Sequence, residues 1–356
     1  MNLLAAQRSA PALHDLLGIS FVFNSAIRAL AWDRDFACFG LADGAIAILR
    51  AHWEGAPKLT AREGGGVVIN AGTAPPPPPA IFKTHAGSVL ALAAVPTGGV
   101  LSGGDDGKLC RLLEGSVTVM DTRPRRTIAA IAAGRGARWA FAAGRNVEIS
   151  GAEDKRLSMP SRVTALAYDP SGLFLAVGFE GGVSLEVCGL RRAPKFESGG
   201  THYLLAWRQD GGAIAVAGAN CDVALRDRAS DDWQIIADLP GPPTALAFTA
   251  QDEIVIGGVD FVHIWNAGSG TAPFGGGANG VAIGPVACHP RLNLFAYVTV
   301  AGAILIGRPG TAEGMMVRDS GARVAFMSFS PEGDALAFAA VDGEAGTVML
   351  PNILFR

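Results

Sequence analysis

The sequence predicts an all-β fold: a closed ring of repeated units, each a sheet of four antiparallel strands. Three observations predict it. An internal repeat recurs at about 40 residues. Within each copy, short apolar stretches alternate with Gly, Pro and Asp turns at strand spacing. The composition, 49% hydrophobic and 17% charged with a net charge of -3, excludes disorder. The 47 glycines follow no three-residue period, which excludes a collagen-like chain.

The repeat is anchored on RVTALAYDPSGLFLAVGFEGGVSLEV, Arg162 to Val187. Its Leu166 has counterparts at Leu30, Leu92, Ile131, Leu205, Leu246, Val286 and Met327, at successive separations of 62, 39, 35, 39, 41, 40 and 41. The third copy, IAAIAAGRGARWAFAAGRNVEISG, is the weakest, yet the 74 residues from Leu92 to Leu166 hold two units. Eight copies predict eight units, and an irregular copy would leave seven.

Each copy reads alike. A first apolar strand such as VTALAY meets a tight turn, where Pro170 presets φ and Gly172 tolerates positive φ. A small-residue strand follows (FLAVG, AIAVAG, EIVIGG, ALAFAA), apolar enough to be buried on both faces mid-sheet. A Gly/Asp turn then leads to an alternating strand such as VSLEV or FVHIW. A fourth, more polar strand is required between copies, around Leu157 and around Phe82. Four antiparallel strands per 40 residues is a propeller blade.

Residues 1–17 read as a tail and 18–356 as one propeller. Gly18 to Phe23 (GISFVF) supplies the outer strand of the last blade, so the ring has no broken edge. The long first interval contains an insertion at about 54–80. Its run Pro75 to Pro79 suits polyproline II, either a stiff spacer or a ligand for an aromatic-lined groove.

The segment HAGSVLALAAVPTGGVLSGGDDGKLCRL, His85 to Leu112, resembles a WD repeat, and Trp265-Asn266 stands in the place of that family's Trp-Asp dipeptide. The resemblance runs from about Ile19 to Leu350 and implies a WD-repeat β-propeller. It also implies a buried structural network, kept in blade two as His85, Ser102 and Asp106, with Leu112 where a Trp would stand. Asp43, Asp260 and Asp342 keep the turn carboxylate, while Glu180 and Ala301 depart from it.

The chain offers little chemistry. Gly-Lys in GGDDGKL lacks the spacing of a phosphate loop, GSGTAPFGGGANG lacks GxGxxG before a helix, and no GxSxG is present. The six histidines lack metal-ligand spacing; His202, at a strand start, is the best candidate, His289 reads as a surface turn residue and His263 as part of an outer strand. The five scattered cysteines suit reduced, buried thiols in the cytoplasm. No stretch reaches the length of a membrane helix, and the N-terminus lacks the pattern of a signal peptide.

These readings predict a non-catalytic scaffold for one or more proteins, with no cofactor, no metal, no nucleic acid and no membrane span. A scarcity of lysine beside Ala, Gly and Arg suits a GC-rich bacterial genome. The alternatives are a propeller hydrolase or lyase, or a small-molecule or metal sensor, using groups at the channel mouth. Partner binding is expected on the face that carries the loops leading into the inner strands, through Arg28, Trp139, Arg162, His202, Tyr203, Phe261 and Arg323. Trp, Tyr and Arg dominate interface energies. The basic runs Arg123-Pro124-Arg125-Arg126 and Arg191-Arg192 read as solvated loops or as a patch for an acidic partner.

Overall fold

The computed structural model describes residues 11–63, 66–151, 154–187, 195–197, 204–218, 221–228, 233–267, 269–274, 282–311 and 314–355. Among them lie eight four-stranded antiparallel sheets and one two-stranded hairpin. The inner strands are Ile27–Asp33, Val89–Ala94, Ile128–Ala133, Val163–Tyr168, Leu204–Trp207, Pro243–Phe248, Ala282–Cys288 and Val324–Phe329. Each touches the inner strand of the next blade, and the eighth touches the first, so eight blades form a ring. The weak third copy is a complete blade, with all four strands paired.

The second strand of every blade is almost wholly buried, as in Ala335–Ala340 and Phe295–Thr299. A strand in mid-sheet, with a neighbouring blade on each face, leaves no side for polar residues. Small side chains let successive sheets approach closely while larger ones interdigitate. Seven of the inner strands carry a register shift near their first residues, where one residue stands unpaired in six blades and two, Gly284 and Pro285, in blade seven. Such a bulge strengthens the local twist and re-aims the extra side chain.

In blades four, seven and eight the tight turn after the inner strand is held by a buried acceptor. Asp169 Oδ1 accepts from the Leu173 and Phe174 amides at 2.9 and 2.8 Å. Gly172 has φ of 72°, the left-handed value that its turn requires. Ser330 Oγ accepts from the Ala335 amide at 3.1 Å. His289 Nδ1 does the same work, accepting from the Arg291 and Leu292 amides at 3.0 Å each. His289 is therefore a turn residue, but not a surface one: it is only 2% exposed. Phe329 and Phe355 close over it edge-on, at 5.2 and 5.8 Å. Burial lowers its pKa. His263, expected on an outer strand, lies in the third strand of blade six, Val262–Asn266.

Gly18–Val22 pairs antiparallel with Glu344–Met349 and completes blade eight. The residues just before it also join the core. Leu13–Leu17 forms one helical turn whose Leu17 is buried beside Val317 and Val348. The insertion in blade one folds into a hairpin, Lys58–Ala61 paired with Val67–Asn70. Trp53 Nε1 donates to the Ala74 carbonyl at 3.1 Å and closes its neck. Residues 75–79 form no strand and lead into the outer strand Ala80–Lys83.

Candidate interaction face

Strand direction defines two faces. Inner strands start at the proximal face and end at the distal one; second strands return, so the turns before the third strands are proximal too. Arg28 is proximal and exposed, as the unpaired residue of the bulge between Ile27 and Ala29. Arg162 and Arg323 are exposed one residue before their inner strands, and their carbonyls accept from the Glu180 and Val341 amides at 2.9 Å each. These three arginines share the face despite their separation in sequence.

The other expected contributors fare differently. Trp139 is distal. It opens the second strand of blade three, opposite Ala133 at the end of the first, so it lies where chains leave the inner strands. Its ring stacks on Phe141 at 6.0 Å. Phe261 does lie at a proximal turn, but it is only 7% exposed and belongs to the core with Phe248 and Ile256. A turn aromatic next to a mid-sheet strand buries more apolar area by folding inward than by facing water. His202 and Tyr203 fall outside the described residues, as do Arg191 and Arg192.

One feature of this face escaped sequence reasoning. Val259, Val300 and Val341 occupy the same position in blades six, seven and eight, directly after the second strand, and are 72%, 72% and 51% exposed. Their signal was the 41-residue spacing of a valine at a turn. The two outer valines precede exposed Asp260 and Asp342.

Blade two carries a polar cluster between its loop, second strand and turn. His85 Nδ1 lies 2.9 Å from Asp106 Oδ1, and Nε2 lies 2.8 Å from Ser102 Oγ. The carboxylate can only accept, so Nδ1 carries the proton and Nε2 accepts from the serine hydroxyl. Asp106 also accepts from the Ala86 and Lys108 amides at 3.0 and 3.1 Å. Burial acts to raise the Asp106 pKa, but these hydrogen bonds outweigh it and hold the pKa below the ordinary value.

The channel has a cavity of about 530 Å³, lined by inner-strand residues of five blades including Ala31, Leu92, Ala247, Val286 and Met327. No carboxylate, imidazole, amine or guanidinium lines it. Its Cys288 thiol has a pKa raised by burial. Among the described residues, no three His, Cys, Asp or Glu side chains are grouped to hold a metal. No helix among them is long and apolar enough to cross a membrane.

Comparison with known proteins agrees with this architecture. Residues 77–110 match the WD domain, G-beta repeat family. That segment joins the outer strand of blade one to the first strands of blade two, so each sequence repeat straddles two blades. No curated protein matches the chain. Among solved structures, a chain of "Crystal Structure of Mitotic Checkpoint Complex" is similar, with a TM-score of 0.58 and 17% identity over 73% of this chain and 90% of that one. The chain is an eight-bladed β-propeller in which residues 77–110, from the outer strand of blade one into blade two, match a WD repeat.

Proposed function

We propose that this propeller is a non-catalytic platform that binds one or more proteins through its proximal face. One observation carries the reading: three successive blades expose a valine at the same position of that face. Isolated apolar residues are ordinary on a surface, whereas repeated ones along one rim supply area that a partner can bury. Arg28 and Arg323 flank the same arc and offer charged anchors. A rigid ring suits the task, because its loops are held in place by sheets that do not rearrange. WD-repeat propellers are commonly protein-interaction scaffolds, and the similar solved chain comes from a protein complex. The scattered cysteines and the absence of a long apolar helix among the described residues support a cytoplasmic setting.

Affinity purification from the native host with quantitative mass spectrometry tests the reading. The wild-type chain should retain a stoichiometric protein. The triple variant Val259→Asp, Val300→Asp, Val341→Asp should lose it, and Glu332→Lys on the distal face should keep it. Retention by the triple variant would overturn the assignment of the face.

A further inference from the structure

The proximal side of blade three, where it meets blade four, gathers four arginines that have no ion-pair partner among the described residues. Arg126 lies across the turn of that blade: its Nη1 would stand 3.0 Å from a Cβ placed on Gly144. Arg145 is the next residue of the same turn, and its carbonyl accepts from the Met159 amide at 2.9 Å. The Gly144 carbonyl accepts from the Val163 amide at 2.9 Å, which fixes Arg162 beside the turn. Arg125, at a left-handed φ of 61°, is the crest of the Arg123–Arg126 turn. All four are exposed.

What distinguishes the four is their grouping around one turn, because single unpaired arginines such as Arg28, Arg135 and Arg323 stand elsewhere on the surface, while others are neutralised by acids. Arg123, in the same loop, pairs with Asp121 at 2.9 Å and Glu148 at 3.3 Å. Arg318 pairs with Glu344 at 2.5 Å. Among the described residues no ion pair involves Arg125, Arg126, Arg145 or Arg162, although Glu180 stands next to Arg162 through a backbone hydrogen bond. Four like charges carried on loops around one turn raise the local positive potential, which an anion lowers.

We propose that Arg125, Arg126, Arg145 and Arg162 form a docking site for an acidic segment of a protein partner. Each planar guanidinium takes a carboxylate in a two-pronged grip, so successive Asp or Glu residues satisfy the cluster. A protein segment fits better than nucleic acid. The net charge of -3 and the exposed Asp105, Glu180, Asp260 and Asp342 on the same face repel a long polyanion. A short acidic stretch spans the four arginines, with Glu180 the acid that stands beside Arg162.

The inference rests on the proximal face as the docking face, and the experiment separates the two. A fluorescein-labelled octaglutamate peptide is titrated with the full chain, following anisotropy. Binding is expected, and it should weaken steeply between about 50 mM and about 500 mM salt. Arg126→Glu with Arg145→Glu should weaken it on the order of tenfold or more. Arg135→Glu, distal and exposed, should leave it unchanged, with thermal midpoints confirming folding. No binding by the wild type, or equal loss from Arg135→Glu, overturns the site. A single-stranded oligonucleotide bound more tightly than the peptide, through the same arginines, overturns the protein partner. If a purified partner is lost by the valine variant but kept by the arginine reversal, the face stands and this site falls.

Discussion

Blades two and seven fill the same slot with opposite chemistry. In blade two, Ser102 pairs with Leu92 of the inner strand; in blade seven, Tyr297 pairs with Val286 at the matching position. Ser102 is part of a buried hydrogen-bond chain with His85 and Asp106. Tyr297 instead joins Phe274 and Phe295, with ring centroids 4.9 to 5.6 Å apart. Phe274 follows the outer strand of blade six, as Thr84 and His85 follow that of blade one. The turn carboxylate Asp106 gives way to Ala301. A blade therefore needs a filled space between loop, strand and turn, and either a satisfied polar chain or rings packed edge to face can fill it. Burial of the ring also pushes the Tyr297 phenol up to about 12.

Four measurements would break or sharpen this contrast. The largest effect belongs to blade seven. Phe295→Ala should cost about 3–5 kcal/mol, because a fully buried ring leaves a cavity. A loss below about 1 kcal/mol in chemical denaturation would mean that the rings do not carry that blade.

Asp106→Ala should cost less, about 1–3 kcal/mol, since it removes little volume but leaves the His85 donor unpaired. A double-mutant cycle with His85→Ala should show coupling of about 0.5–3 kcal/mol. Additive losses would reduce the network to two independent contacts.

The third effect depends on pH. Asp106 has a folded pKa below its ordinary 3.8, so its contribution is complete above that value. It is lost as pH falls through the lowered pKa. The difference in thermal midpoint between wild type and Asp106→Asn should thus hold at neutral pH and shrink below about pH 4. A difference that stays constant down to pH 2 would separate the stability of blade two from that carboxylate.

The smallest effect is expected at the proximal rim. Val341→Asp should change stability by no more than about 0.5 kcal/mol, because its side chain faces water. A larger loss would place that valine in the packing of blade eight, alongside the rings of blade seven, and remove it from the docking arc.

Sequence alone determined the ring. Leu166 and its counterparts recur because every blade must present one apolar inner strand to the channel. The small-residue strands announced burial on both faces, and Gly18–Val22 announced closure because blade eight lacked an outer strand. His85, Ser102 and Asp106 could be read as a group because one repeat brackets all three. Exposure was another matter. Phe261 turned inward, Trp139 proved to be on the distal face and His289 was covered by Phe355, while Val259, Val300 and Val341 stayed in water. Arg125 and Arg126, Arg145 and Arg162 lie on three loops of the chain, and only the packing of blades three and four sets Arg126 across Gly144 and Val163, next to Arg162, against the same turn. Repeat period is a property of the chain, but which side of a turn meets solvent depends on how neighbouring blades and chain ends pack against it.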